Sequence, residues 1–300
     1  MKHTLVILSA LVLAVNLGAQ TPEHNNYIGI NLGEGLGTLS FSPADGDHGS
    51  RLGYLVEAKY LYFFDQQFGA AVGLKYSRAY SSATFNYTQT TLNIVHPGNN
   101  NTYDATVRVD DLEERQSVGV VSLPIEFYWR NRLQDDLVLM LGAGFQIDIP
   151  LTGSYSADKG HYSVSGYFPA SGVTYTDLPS YGFDRYAVDE SGDIETASLG
   201  LSLVADLGVN YALRNAWSLY AGIYMGYGLT NVMSDESSRP LLSVPVAGAN
   251  ETNVYNGAFA SNRVDAAHLF SLGIKVGINW GWSYTYPFLK KKKEEKVILK

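Results

Sequence analysis

Residues 54–77, YLVEAKYLYFFDQQFGAAVGLKYS, decide the fold. Tyr54, Val56, Ala58, Tyr60 and Tyr62 occupy alternate positions, with Glu57 and Lys59 between them. After the tight connection Phe64-Asp65-Gln66-Gln67, the residues Phe68, Ala70, Val72, Leu74 and Tyr76 alternate with Gly69, Ala71, Gly73, Lys75 and Ser77. Successive strand residues face opposite sides of a sheet. The stretch therefore reads as a hairpin with one apolar face and one charged face.

The same period of two recurs outward from this hairpin. Val121, Leu123, Ile125, Phe127 and Trp129 form one run, and Leu137, Leu139, Leu141, Ala143, Phe145 and Ile147 the next. Further runs extend from Leu199 to Tyr211, Trp217 to Leu229 and Phe270 to Trp282, which makes seven strands. An eighth starts near Tyr27, where Ile28, Ile30, Leu32 and Leu36 share a face with Glu34. A carboxylate at mid-membrane costs a few kcal/mol, so either a bulge at Gly33 or Gly35 changes the parity or Glu34 lies near a rim.

A soluble β-sandwich shows the same alternation with its apolar face inward. Two features favour a membrane barrel. Tyr60, Tyr62, Tyr76, Phe127, Trp129, Tyr211, Trp217, Trp280 and Trp282 cluster at strand ends, like the aromatic girdles at membrane interfaces. The opposite face carries Glu57, Lys59, Lys75, Glu126, Asp148, Asp206 and Lys275 in mid-strand, where a sandwich core would bear a large desolvation cost.

Composition agrees. The chain of 300 residues has 30 Gly, 22 Tyr, 12 Phe and 4 Trp, and its mean hydropathy is near zero, which suits short alternating strands. The absence of Cys excludes disulfides, thiolate metal sites and a cysteine nucleophile. A net charge of −8, with one dense basic run at residues 290–293, argues against nucleic-acid binding. Residues 1–19 read as a cleaved secretory signal peptide, with Lys2 and His3 before an apolar stretch from Leu5 to Val15 and a Leu17-Gly18-Ala19 ending. No later segment holds 18 uninterrupted apolar residues, so an exported chain in a membrane must span it as a closed barrel.

Connection lengths provide a separate test. They run Phe41–Arg51, Phe64–Gln67, Ser81–Ser117, Arg130–Asp136, Pro150–Ala197, Leu213–Ala216 and Met233–Asp265, alternating long and short. Outer-membrane barrels pair short periplasmic turns with long outer loops. The expectation is an all-β, antiparallel up-and-down transmembrane barrel of eight strands over residues 20–282. Both termini lie on the short-turn side, and residues 283–300 form a basic periplasmic tail. A hairpin around His161 to Phe168 would raise the count to ten.

Val118 to Trp129 with its Ser-Leu-Pro-Ile-Glu-Phe centre, Leu139-Met140-Leu141-Gly142-Ala143-Gly144, and the stretch from Tyr220 to Asn231 resemble the PorT-like, OmpA-like outer-membrane β-barrel family. The resemblance covers nearly the whole mature chain and implies location and architecture, with no catalytic residue attached. Unlike full OmpA proteins, the chain stops soon after its last strand, without a peptidoglycan-binding domain.

An eight-stranded barrel is narrow enough to be filled by its own side chains. The seven interior charges are therefore expected to pair as a polar plug instead of lining a channel. No catalytic motif, cofactor site or metal site is recognised. His24, His48, His96 and His161 fall in the N-terminal lead or the long connections and His268 at the outer rim, with no spacing that fixes a serine partner for base-activated attack. Asp189-Glu190-Ser191-Gly192-Asp193-Ile194-Glu195 does not match a calcium loop and reads as a solvated acidic segment. The glycines between Gly29 and Gly37 precede no helix, which argues against a dinucleotide fold. Recognition most often resides in loops carried on a rigid scaffold, and Pro150–Ala197 is rich in tyrosine (Tyr155, Tyr162, Tyr167, Tyr175, Tyr181, Tyr186), which either forms a binding surface or extends the barrel as strands above the membrane. The reading is a monomeric outer-membrane protein in contact with outer-membrane lipid, with a structural or surface-recognition role toward an unknown extracellular ligand or protein. A small-solute porin and a lipid-modifying enzyme are the alternatives.

Overall fold

The computed structural model describes residues 24–96, 99–197, 199–213, 216–233, 239–243 and 254–283. The expected signal peptide at 1–19 and the expected tail from 284 onward lie outside the described residues. Eight strands form the ring: β1 (Asn26–Phe41), β2 (Leu52–Phe63), β3 (Phe68–Val95), β4 (Thr102–Arg132), β5 (Leu137–Phe168), β6 (Gly200–Ala212), β7 (Trp217–Gly228) and β8 (Ala267–Trp282). Each is antiparallel to its sequence neighbour, and β8 closes on β1 from Asn26↔Trp282 to Phe41↔Ala267. Residues 161–168, the candidate for two extra strands, simply continue β5, so the ring keeps eight.

Alternation fixes the lower half. Ile28, Ile30, Leu32, Val56, Val72, Leu74, Ile125, Leu203, Ile223 and Ile278 point outward and exposed, whereas Glu57, Lys59, Lys75, Glu126, Asp206 and Lys275 point inward and buried. The pairing of β1 to both neighbours is unbroken, so no bulge shifts its parity. Glu34 is exposed on the outward face between Tyr54 and Ile274, two residues before the exposed Leu36.

The upper half departs from the expected loops. Ser81–Ser117 is largely strand, because β3 and β4 continue as a long hairpin beyond the band, and the first part of Pro150–Ala197 is the continuation of β5. Above the band the two faces exchange character. Ala83, Phe85, Tyr87, Val107, Val109 and Val164 now point to an interior, while Thr84, Thr88, Thr90 and Ser163 point out. Short strands at Gly46–Ser50 on β3, and at Val173–Tyr175, Arg185–Ala187 and Glu190–Ile194 on β5, widen this sheet.

The last connection folds over the barrel mouth. Leu241, Leu242, Tyr255, Ala258, Phe259 and Val264 are buried with Leu39, Phe41, Phe85, Val118 and Val120 in one apolar core above the band. A smaller apolar cluster of Leu61, Phe63, Ala71, Tyr128, Met140 and Tyr220 lies at the turn end. The molecule thus stacks an apolar floor, a charged middle and an apolar cap.

Candidate functional site

The charged middle is assembled by strands far apart in sequence. Lys59 on β2 contacts Glu57 at 3.3 Å, Asp206 at 3.0 Å and the Glu126 carboxylate. Lys275 on β8 reaches Glu57 at 3.0 Å and Asp206 at 2.7 Å. The Tyr128 hydroxyl donates to Asp206 at 2.6 Å, and Asn31 Nδ2 donates to Glu57 at 3.1 Å. A second layer sits above. Lys75 Nζ donates to Gln146 Oε1, Gln146 Nε2 to Asp148 at 2.7 Å, and Ser122 to Asp148 at 2.6 Å, while Ser202 also donates to Asp148. All seven charged residues face the lumen and are at least nine-tenths buried, five in the lower layer and Lys75 and Asp148 in the upper.

Every charge in this network has an opposite charge or a hydrogen-bonding group within reach, which a buried ionic group requires. A cavity of about 30 Å³ lies below it beside Tyr27 and Asn279, and one of about 40 Å³ above it beside Leu55 and Ser271. Each holds no more than a few waters.

The nine aromatic residues expected at the interfaces all face outward. Tyr60, Tyr62, Phe127, Trp129, Tyr211, Trp217, Trp280 and Trp282 ring the turn end, and Tyr76 lies at the upper end of the apolar band. The upper ring also contains Tyr54, Tyr227 and Phe270, which sit in the same alternating runs and could have been found from them.

Outside the band, the tyrosines of the expected loop divide between strand and packing. Tyr155, Tyr162 and Tyr167 lie on β5, Tyr162 stacks on Tyr186 with ring centroids 5.0 Å apart, and Tyr181 packs against His96, Phe168 and Phe183. Between β5 and the cap is a cleft of about 170 Å³ bordered by Tyr155, Asp193, Glu195, Arg239 and Asn256. Among the described residues no three His, Asp or Glu side chains are placed to hold a metal, the acidic stretch included. His161 lies opposite Asp110 and Ala187, and His268 opposite Ser40. His268 Nδ1 is buried without a hydrogen-bond partner.

Glu114 went unremarked in the sequence because it falls within an expected loop. It is 1% exposed inside the cap, accepting from the Tyr255 hydroxyl, the Ala258 N–H at 2.8 Å and Gln116 Nε2 at 2.8 Å. Burial raises its carboxyl above the ordinary value, outweighing the three donors. A carboxyl raised in the folded state retains its proton while the unfolded chain has lost its own. The cap is therefore most stable below the unfolded value and loses stability as pH climbs through the folded one. We expect amide exchange at 255–259, corrected for its intrinsic pH dependence, to show more protection at pH about 5 than at about 7.5. Glu114→Gln should flatten that difference, and an unchanged pH profile in the variant would rule out Glu114 as its source.

A family model described as outer membrane protein beta-barrel domain matches residues 19–234. No curated protein matches the chain. Among solved structures, Neisserial surface protein A is 12% identical, with 86% of this chain and 97% of that one covered and a TM-score of 0.34. The outer membrane protein OprG from Pseudomonas aeruginosa is 9% identical over 89% of this chain and 100% of that one, with a TM-score of 0.37. Ail, the attachment invasion locus protein of Yersinia pestis, solved with the heparin analogue sucrose octasulfate, is 10% identical over 85% and 99%, with a TM-score of 0.29. With its family model spanning most of its length and its strands closed into a ring of eight, this chain belongs to the outer membrane protein beta-barrel domain family and is a protein of the outer membrane.

Proposed function

We propose that this protein is a non-conducting, non-catalytic surface-recognition barrel of the PorT-like, OmpA-like kind that acts as a monomer through its extracellular sheet. The observation that carries this reading is the cap. The extensions of β3, β4 and β5 and the last connection share an apolar core outside the membrane, so the outer segments are a folded body held at fixed geometry. Rigid presentation lowers the entropy cost of binding. Leu92, Val95, Tyr167, Val173 and Tyr175 are exposed on the outlying parts of this sheet, an apolar and aromatic set suited to contact with another macromolecule.

Planar-bilayer recordings of the folded full chain should show no conductance steps, and Lys75→Met and Lys275→Met should leave that silence unchanged. Cells displaying the protein should bind one or more members of a panel of immobilised glycans and extracellular-matrix proteins. Binding should fall when Leu92, Val95, Tyr167 and Tyr175 are replaced together by Ser. Regular steps in the wild-type chain, or binding indifferent to the fourfold replacement, would sink the proposal.

A further inference from the structure

The outward face changes character between two adjacent rows of cross-strand partners. Leu32, Val56, Tyr76, Val121 and Ile149 form a row that is apolar apart from one phenol, and two residues higher the row reads Glu34, Tyr54, Arg78, Gly119 and Thr152. Arg78 thus sits on the lipid-facing surface at the upper limit of the apolar band.

Its surroundings are hydroxyls and the ring of Tyr80, whose centroid is 5.8 Å from the Arg78 Cζ. Arg78 Nη2 donates to Ser117 Oγ at 3.1 Å, and Ser117 Oγ lies 3.1 Å from Ser154 Oγ. Gly119, directly opposite Arg78, leaves room for two more. The Tyr76 hydroxyl and Thr152 Oγ1 stand 3.2 Å and 3.6 Å from where its Cβ would be. What is missing is an anion. Arg115, the next outward cation on β4, is neutralised by Glu113 at 3.1 Å and Asp158 at 3.3 Å, and Lys159 is paired with Glu113 at 2.7 Å. Arg78 makes no ion pair with a described residue, its Nε is buried with no acceptor, and Glu34 stands two strands away, about 10 Å by the spacing of strands.

A guanidinium at a hydrocarbon boundary needs a counter-charge, and its fork of donors matches the oxygens of a phosphate. We propose that Arg78, with the hydroxyls of Tyr76, Ser117, Thr152 and Ser154, binds the phosphate of an outer-leaflet lipid headgroup. The acyl chains of that lipid would lie along Val56, Val121 and Ile149 in the row below. Phosphate is the recognised chemistry, and the apolar row commits the site to a lipid rather than a free anion.

The test is native mass spectrometry of the detergent-solubilised full chain titrated with dioleoyl phosphatidic acid, and with dioleoylglycerol as the phosphate-free match. Wild-type protein should retain phosphatidic acid in preference to dioleoylglycerol. Arg78→Gln should retain it about tenfold less, the loss expected for a charge-assisted contact. Arg78→Lys should fall between, because it keeps the charge and loses the fork. Arg115→Gln should match the wild type. Folding of each variant is checked by its compact, heat-modifiable gel band. Should Arg78→Gln not fold, Ser117→Ala combined with Thr152→Val provides the second reading and should weaken retention in the same direction. Equal retention by wild type and folded variants, or equal retention of the two lipids, overturns the site. Displacement of the lipid by millimolar inorganic phosphate overturns the assignment to lipid.

Discussion

Lys275→Met lowers the unfolding free energy of the barrel by about 3–5 kcal/mol, the usual cost of removing one partner from a buried ionic network. In the lower layer, Lys59 and Lys275 face Glu57, Glu126 and Asp206. Removal of Lys275 leaves three carboxylates around one ammonium, whereas removal of Asp206 leaves two of each. The lysine is the more sensitive member for that reason. Methionine has nearly the length of lysine, so the effect is one of charge and not of a cavity. Urea titration of the folded, heat-modifiable band in detergent is the measurement. Lys275→Met combined with Asp206→Leu should recover at least half of the loss, because the layer returns to the wild-type excess of one carboxylate. A single variant within about 0.5 kcal/mol of the wild type would show that the layer contributes little as a network.

Phe183→Ala should open the outer sheet and leave the barrel intact. Phe183 is 0% exposed, and its ring packs against Tyr103 at 5.3 Å, Tyr181 at 5.6 Å and Phe168 at 6.3 Å, over the bare backbone of Gly166. Truncating a buried phenylalanine costs about 3–5 kcal/mol, a large share of what a small outer body can possess. Because the floor cluster and the charged middle contain none of these residues, the damage should stay local. Protease added to intact cells should cut the variant between 169 and 197 much faster than the wild type, while the remaining barrel still shifts on heating. Loss of the heat-modifiable band together with the outer sheet would mean that the two bodies unfold as one.

The barrel was legible in the sequence because lipid outside and charge inside mark both faces of one strand. Lys59 with Tyr60, or Lys75 with Leu74, is enough to orient the chain, and the seven lumen charges followed from parity alone. Their pairing was not legible, since Lys59 meets Asp206 across 147 positions and only ring closure brings them together. The outer sheet was open as one reading of Pro150–Ala197, but at Ser81–Ser117 it escaped for a different reason. From Ala79 to Tyr87 the period of two continues, but the inward side has become apolar and the outward side hydroxylic, so a test for lipid-facing residues reports the end of a strand. Glu114 was hidden by the same inversion. A carboxylate within an expected loop reads as solvated, and only the cap folded over it by Tyr255 and Ala258 makes it buried.

The seam between β1 and β8 also bears on the order of events during assembly. Asn26 and Trp282 are 256 positions apart, yet their strands pair along sixteen consecutive residues. Loop closure over so long a chain is slow, and the first strand gains its second neighbour only after all the others have been laid down. Until then its backbone donors and acceptors form an open edge that another chain can pair with. The interval before β8 arrives is when this molecule is most exposed to mispairing, and a chain shortened before Ala267 would keep both edges open and aggregate where the full chain closes.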